Sequence, residues 1–271
     1  ERGGSFALEI DVHDLRLELH DSEGVRDGFA LAGASIAKVY ANTMDLLGRT
    51  GHETEIFAKP FDNPHSELPF AKDETHGSWD HDAIRRWWMS MTFTEEVFRS
   101  FAGRSFMRTS PVQLFWHSFD LAVTRFTGRR SPSFGEGGRR SDVEAYSHEV
   151  ISFGYWPGDP DVRFPAYYSY TAPEPEGLSH RRIHPEEAWW QELPSSHLAL
   201  LKYDDVRAAE DPRSTTLDFL ESAYRAGVDA LGMEDADMLD TQKLWSTLDE
   251  RFAAVARTPS ERSRDRSDAY P

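Results

Sequence analysis

Three aromatic stretches hold the residues best suited to chemistry: PVQLFWHSFDLAVTRFTGRR (111–130), AYSHEVISFGYWPGD (145–159) and FPAYYSYTAPEPEG (164–177). Within them His148 is the natural general acid and base, because an imidazole titrates near neutrality without assistance. Asp120 can orient that ring or hold its charged form. Trp116, Ser118, Tyr146, Ser152, Trp156, Tyr168 and Tyr170 would supply the walls, since aromatic surface with a few placed polar groups is the usual lining of a small-molecule pocket. The bland alternative for Asp120 is a buried pair with Arg125 or Arg129 that pins a sheet, because buried polar groups are commonly hydrogen-bonded without catalysis. Ser118 and Ser152 qualify as nucleophiles by elimination alone.

A metal is the weaker alternative. His76, Asp80, His148 and Glu149, with Asp120, supply imidazole and carboxylate suited to Zn, Mn or Fe. No H-x-x-x-H or H-E-x-x-H spacing supports that set, and His76 equally closes its own loop. Glu149 points away from His148 in a regular strand, so both serve one site only across a bulge. There is no G-x-S-x-G elbow, no phosphate-binding G-x-x-x-x-G-K-[ST] loop, and no G-x-G-x-x-G after a strand. These residues point to no particular cofactor.

The elements that must position these residues follow from periodicity. Phe6, Leu8, Ile10 and Val12 alternate with polar neighbours, Leu15, Leu17 and Leu19 repeat the pattern, and a weaker strand covers 25–31. Together they predict an antiparallel meander with one wet face. Ile36, Val39, Tyr40, Thr43, Met44 and Leu47 recur at helical spacing, and Gly48 fits the helix end. Residues 53–58 read as a short strand, and 59–79 as a long ordered loop or lid. Asp80 caps a second helix to about Phe101, with Ile84, Trp87, Trp88, Met91, Phe98 and Phe101 as its buried stripe and Gly103 as its stop. Residues 111–126 read as a strand too long to run unbroken, with a bulge or bend near Ser118–Asp120. Its alternation puts Phe115, His117, Phe119, Leu121 and Val123 on a core face and Trp116, Ser118 and Asp120 on the other.

Further strands are expected over 146–154, 165–171 and 197–203, with loops over 129–142 and 172–187. Helices are expected over 214–231 and about 240–256, with a disordered tail from 257. The fold class is therefore α+β: antiparallel sheets with packed helices in a single domain over 1–256. Its block order hints at two similar halves, 5–104 and 110–231.

Composition narrows the classes. The 271-residue chain has 13% aromatics, enough for a packed interior. A net charge of −17 argues against nucleic acid and anionic membranes as partners. With no cysteine, disulfides, thiolate metal sites and a Cys nucleophile are excluded. No apolar run reaches the ~18 residues of a membrane span, and no signal peptide is visible, so the expected location is cytoplasmic.

At FWHSFDLAVTRFTGRR, AYSHEV, GYWPGD, YYSYTAPEPEG and the upstream PFAKDETHGSWD, the chain resembles a bacterial family classed only as a domain of unknown function. The likeness spans roughly residues 6–230. It is carried by Trp116, Ser118, Phe119, Asp120, Arg125, Tyr146, His148, Glu149 and Trp156, whereas position 117 resembles a replaceable one, which weakens His117 as a ligand. The resemblance implies an upstream segment rich in Trp and His that this chain lacks, and it implies no activity. Three function classes follow: a His148/Asp120 enzyme on a small molecule, a ligand-binding module without chemistry, and a structural or interaction protein.

Overall fold

The computed structural model describes residues 4–60, 67–105, 107–116, 118–131, 140–159 and 162–233. The expected helix over 240–256, the tail from 257 and His117 lie outside them. Two compact units divide the chain, Glu1–Glu96 with Leu114–Leu121, and Val97–Gln113 with Ala122–Pro271. The fold is α+β with antiparallel sheets, as the periodicities predict.

In the first unit, β1 (Phe6–Asp11), β2 (Arg16–Asp21) and β3 (Arg26–Ala30) form the antiparallel meander, with Leu8 opposite Leu19 and Leu17 opposite Phe29. Asp21 shapes its second turn by accepting the N–H groups of Glu23 at 2.9 Å and Val25 at 2.8 Å. Leu17 and Leu19 join Leu31, Leu46 and Leu47 in a buried cluster, with Val39, Met44 and Trp79 against it. Burial of one such leucine contributes about 1.5–3 kcal/mol. The expected burial of the first strand's apolar row is not met: Phe6, Leu8 and Ile10 are each about 40% exposed. A period of two says which residues share a face. It does not say whether anything covers that face, and the core gathers on β2 and α1 while β1 is a sheet edge.

Helix α1 (Ile36–Arg49) starts at Ser35, whose hydroxyl accepts the Lys38 N–H, and runs past Gly48 to a cap at Thr50. Its first N–H groups, on Ile36 and Ala37, donate to the carbonyls of His76 and Asp73 at 2.8 and 2.9 Å. Orphan donors of a helix start are thus satisfied by the loop before the next helix. Buried Asp73 orders that loop by accepting from the Thr75 and His76 N–H groups and from both their side chains. Residues 53–58, expected as a strand, join neither sheet, and Ile56 and Phe57 are exposed. Alternation alone makes no strand without a partner to take its backbone hydrogen bonds.

Helix α2 (His81–Ala102) follows the capping Asp80, which accepts the Ala83 N–H at 2.9 Å. Met91, Phe98 and Phe101 of its predicted stripe are buried, but Trp88 is exposed. The expected strand over 111–126 is instead two: β5 (Gln113–Phe115) and β6 (Asp120–Arg130), with β5 pairing β6. Trp116, Ser118 and Phe119 lie in turn conformation, and the Phe119 N–H donates to the Phe115 carbonyl at 2.7 Å. Phe119 sits at φ 60, a left-handed conformation that a bulky side chain rarely adopts. The turn resets the alternation, so Phe115 and Phe119 are exposed, while Leu121 and Val123 are core as expected.

The large sheet runs β4 (Arg108–Thr109), β6, β7 (His148–Trp156), β8 (Ala166–Ala172), β10 (His197–Lys202) and β9 (Trp189–Glu192). Helices α3 (Arg140–Ala145), α4 (Tyr203–Ala208) and α5 (Pro212–Ala230) complete the second unit. The short β9 and α4 escape periodicity because four to six residues are too few to show one. Asp211 caps α5 by accepting the Ser214 N–H, and Pro212 takes the first helical position. Gly227 lets α5 come down on the sheet, where a Cβ would stand 2.7 Å from Thr171 Oγ1 and 2.8 Å from Ile151 Cδ1. On that same side Phe153 meets Phe101 edge-on, with ring centroids 4.8 Å apart, and Tyr155 meets Tyr167 at 4.9 Å.

Candidate functional site

Strand alternation gives the large sheet two unlike faces. Ile151, Phe153 and Tyr155 of β7 and Tyr167 of β8 lie on the α5 side and are buried. The opposite face carries His148, Ser152, Gly154 and Trp156 of β7, with Tyr168 and Tyr170 of β8. The register sets Tyr170 opposite Ser152 and Tyr168 opposite Gly154. Thr124 of β6 joins this face, its hydroxyl 2.8 Å from that of Ser152. Of the site residues predicted within 146–170, all but Glu149 are therefore on or beside one face.

Those residues do not form one pocket. His148 and Trp156 stand at opposite ends of β7, eight residues apart, or about 26 Å at the usual strand rise. Between them runs an aromatic ladder. Trp156 packs edge-on to Tyr168 at 5.3 Å, Tyr168 stacks on Tyr170 at 6.2 Å, and Tyr170 lies 6.5 Å from Tyr146 with their hydroxyls 3.0 Å apart. Tyr168 lies over Gly154 so closely that a Cβ there would fall 2.2 Å from the ring. Absence of a side chain at Gly154 is what lets the ladder lie flat on the sheet.

At the His148 end the sheet opens into a cleft of about 550 Å³, of the size that holds small molecules. His148, Gly128, Phe126, Arg108 and the 109–111 segment line it. Arg108 sits directly opposite Phe126 across the β4–β6 pair. His148 Nδ1 is 3.1 Å from the Ser147 hydroxyl, and no described residue engages Nε2. The two hydroxyls nearest Arg108 are spent on the backbone: Thr109 donates to the Met107 carbonyl, and Ser110 donates to the Pro111 carbonyl while accepting the Thr124 N–H. Periodicity missed Arg108 because β4 is two residues long. Phe126 and Gly128 were legible only as members of Thr124's face.

The remaining candidates sit elsewhere. Trp116 is 68% exposed in the first unit's turn, with Phe119 between it and Trp87 at centroid distances of 6.3 and 6.1 Å. Ser118 donates a short hydrogen bond to buried Asp120. His76 is bonded to Asp73, and among the described residues no group of three His, Asp or Glu side chains is placed to hold a metal ion. Glu149, on the α5 side as alternation predicts, accepts Arg129 Nε at 2.7 Å and the Thr127 hydroxyl at 3.1 Å.

Arg125 is the other unusual group. It is 1% exposed, its guanidinium carbon lies 3.6 Å from the Phe101 ring centroid and 4.2 Å from that of Tyr224, and one terminal nitrogen donates to the Phe101 carbonyl at 2.7 Å. Burial pulls its pKa down to about 10, with nearby Glu221 opposing, so it is still cationic at neutral pH. It clamps β6 to the end of α2 and to α5.

A family of unknown function, DUF5996, matches residues 1–240. The chain belongs to that family. No curated protein and no solved structure matches it. Family membership agrees with the resemblance to an uncharacterised domain family and assigns no activity.

Proposed function

We propose that the second unit binds a small molecule in the cleft at His148, and that His148 is its acid–base group. The observation that carries this is one imidazole lining a cleft of ligand size, with Nδ1 beside the Ser147 hydroxyl and Nε2 bearing no bond from a described residue. A ring held at one nitrogen and open at the other is suited to transferring a proton at the open one. The role falls to His148 alone, because Asp120 is engaged by Ser118. The aromatic ladder beyond Tyr146 gives a larger ligand a surface to lie on.

The test is a screen of small neutral, cationic and anionic molecules, read on the His148 imidazole NMR signals. Binders are expected to shift those signals and, followed on the binder's own NMR signals, to lose affinity in a folded His148→Gln variant. A broad library that leaves His148 undisturbed sinks the proposal. A second reading, binding without chemistry, is favoured by hydroxyls that satisfy one another, Thr124 with Ser152 and Tyr146 with Tyr170. Following each binder's own NMR spectrum over hours separates the two, since only the enzyme converts it.

A further inference from the structure

We infer that the His148 cleft selects a small organic anion, with a carboxylate or phosphate held by Arg108 and His148 and an apolar body against Phe126. This rests on the binding proposal above and names its ligand class.

The charges around the cleft favour an anion. The chain carries 47 acidic against 30 basic Lys and Arg residues, so carboxylates are abundant partners for any surface arginine. Arg104, Arg129 and Arg207 each have one, namely Glu221, Glu149 and Asp204. Arg108, like Arg85, Arg86 and Arg130, has none among the described residues; what sets it apart is that none of the described residues lining its cleft is acidic. In a molecule of net charge −17, a cleft that keeps an arginine and a histidine and excludes carboxylates runs against the surrounding field. A negative ligand there meets favourable local charge.

The geometry favours one too. Arg108, Phe126 and His148 come from three adjacent strands, β4, β6 and β7, and line the same cleft, with Phe126 on the strand between the other two. A planar guanidinium presents paired donors that match the oxygens of a carboxylate or phosphate. The Thr109 and Ser110 hydroxyls, already bonded to backbone, cannot replace that recognition. Phe126 and Pro111 add apolar surface that a hydrated inorganic anion would leave unused.

The experiment compares four probes at one pH and low salt: benzoate, phenyl phosphate, inorganic phosphate and the neutral benzamide. His148 imidazole shifts report binding to wild type and to Arg108→Gln, a variant at an exposed side chain whose fold is checked by its NMR spectrum. Benzoate or phenyl phosphate is expected to bind at least tenfold more tightly than benzamide, to lose at least tenfold in R108Q, and to outbind inorganic phosphate. Which of the two organic anions binds better tells carboxylate from phosphate. Benzamide matching the anions, or anion binding indifferent to R108Q, overturns the inference while leaving a small-molecule site at His148 intact. Inorganic phosphate matching phenyl phosphate and exceeding benzoate overturns the organic part. Silence of His148 to all four overturns the inference, and silence to the broad library as well removes the site itself.

Discussion

Arg125 engages Phe101 twice: its guanidinium lies on the phenyl ring at 3.6 Å and donates to the same residue's carbonyl at 2.7 Å. One buried cation thereby joins the middle of a strand to the end of a helix. Arg125 Nε has no hydrogen-bond partner among the described residues, so the contact carries a desolvation cost. Arg125→Ala should lose about 3–5 kcal/mol in denaturant unfolding, because packing and the carbonyl's partner go together. Arg125→Met, which fills the slot without a charge to desolvate, should fall within about 1 kcal/mol of wild type. Equal losses in the two variants would show that the charge itself is required.

Gly227→Ala sets two known effects against each other. Alanine gains about 1 kcal/mol as a helix former. Its Cβ, however, would stand 2.7 Å from Thr171 Oγ1 and 2.8 Å from Ile151 Cδ1, and overpacking of this kind costs about 1–3 kcal/mol. A net loss of about 1 kcal/mol is expected by thermal or chemical unfolding. A stabilised variant would mean that α5 can lift from the sheet without penalty.

Gly154→Ala should act on the ladder. The new Cβ would collide with the Tyr168 ring, which sits between Trp156 and Tyr170. Expected are a loss of about 1–3 kcal/mol and a change in the ring-current shifts of Tyr168 and Tyr170. Since the cleft lies at the far end of β7, the His148 signals should hardly move.

Acid should loosen the first unit through Asp73. Hydrogen bonds from the His76 N–H, and then from the side chains of His76 and Thr75, hold its carboxyl below the ordinary carboxylate range, burial acting in the opposite sense. A pKa lower in the folded than in the unfolded chain stabilises the fold fully above the unfolded value, about 3.9, and that stability is lost as pH falls through the folded value. Unfolding measured from pH 5 to 2 should therefore show a shallower acid slope for Asp73→Asn than for wild type. Identical slopes would mean that Asp73 titrates alike in both states.

Much of the secondary structure was legible because it depends on neighbours in sequence. The meander of β1 to β3, the cap at Asp80, and the strands β7, β8 and β10 all follow from local periodicity and turn or cap chemistry. The same alternation correctly placed His148, Ser152, Tyr168 and Tyr170 on one face. Exposure was not legible: Phe6 and Phe119 look like core residues by type, and only what packs against them decides otherwise. The break between β5 and β6 was legible as a bend near Ser118–Asp120 but not in its form, because its left-handed Phe119 follows no turn rule.

From sequence alone came the class of fold, the aromatic motifs and the candidacy of His148, all carried by residue type and short-range spacing. Tertiary structure decided which of these meet. It spread the expected pocket into a ladder along β7 and β8, held Asp120 to Ser118, and set Arg108 from a two-residue strand into the same cleft as His148. The physical reason is sequence distance: Arg108 and His148 are 40 residues apart, and strand pairing through β6, not any local preference, brings them to one cleft.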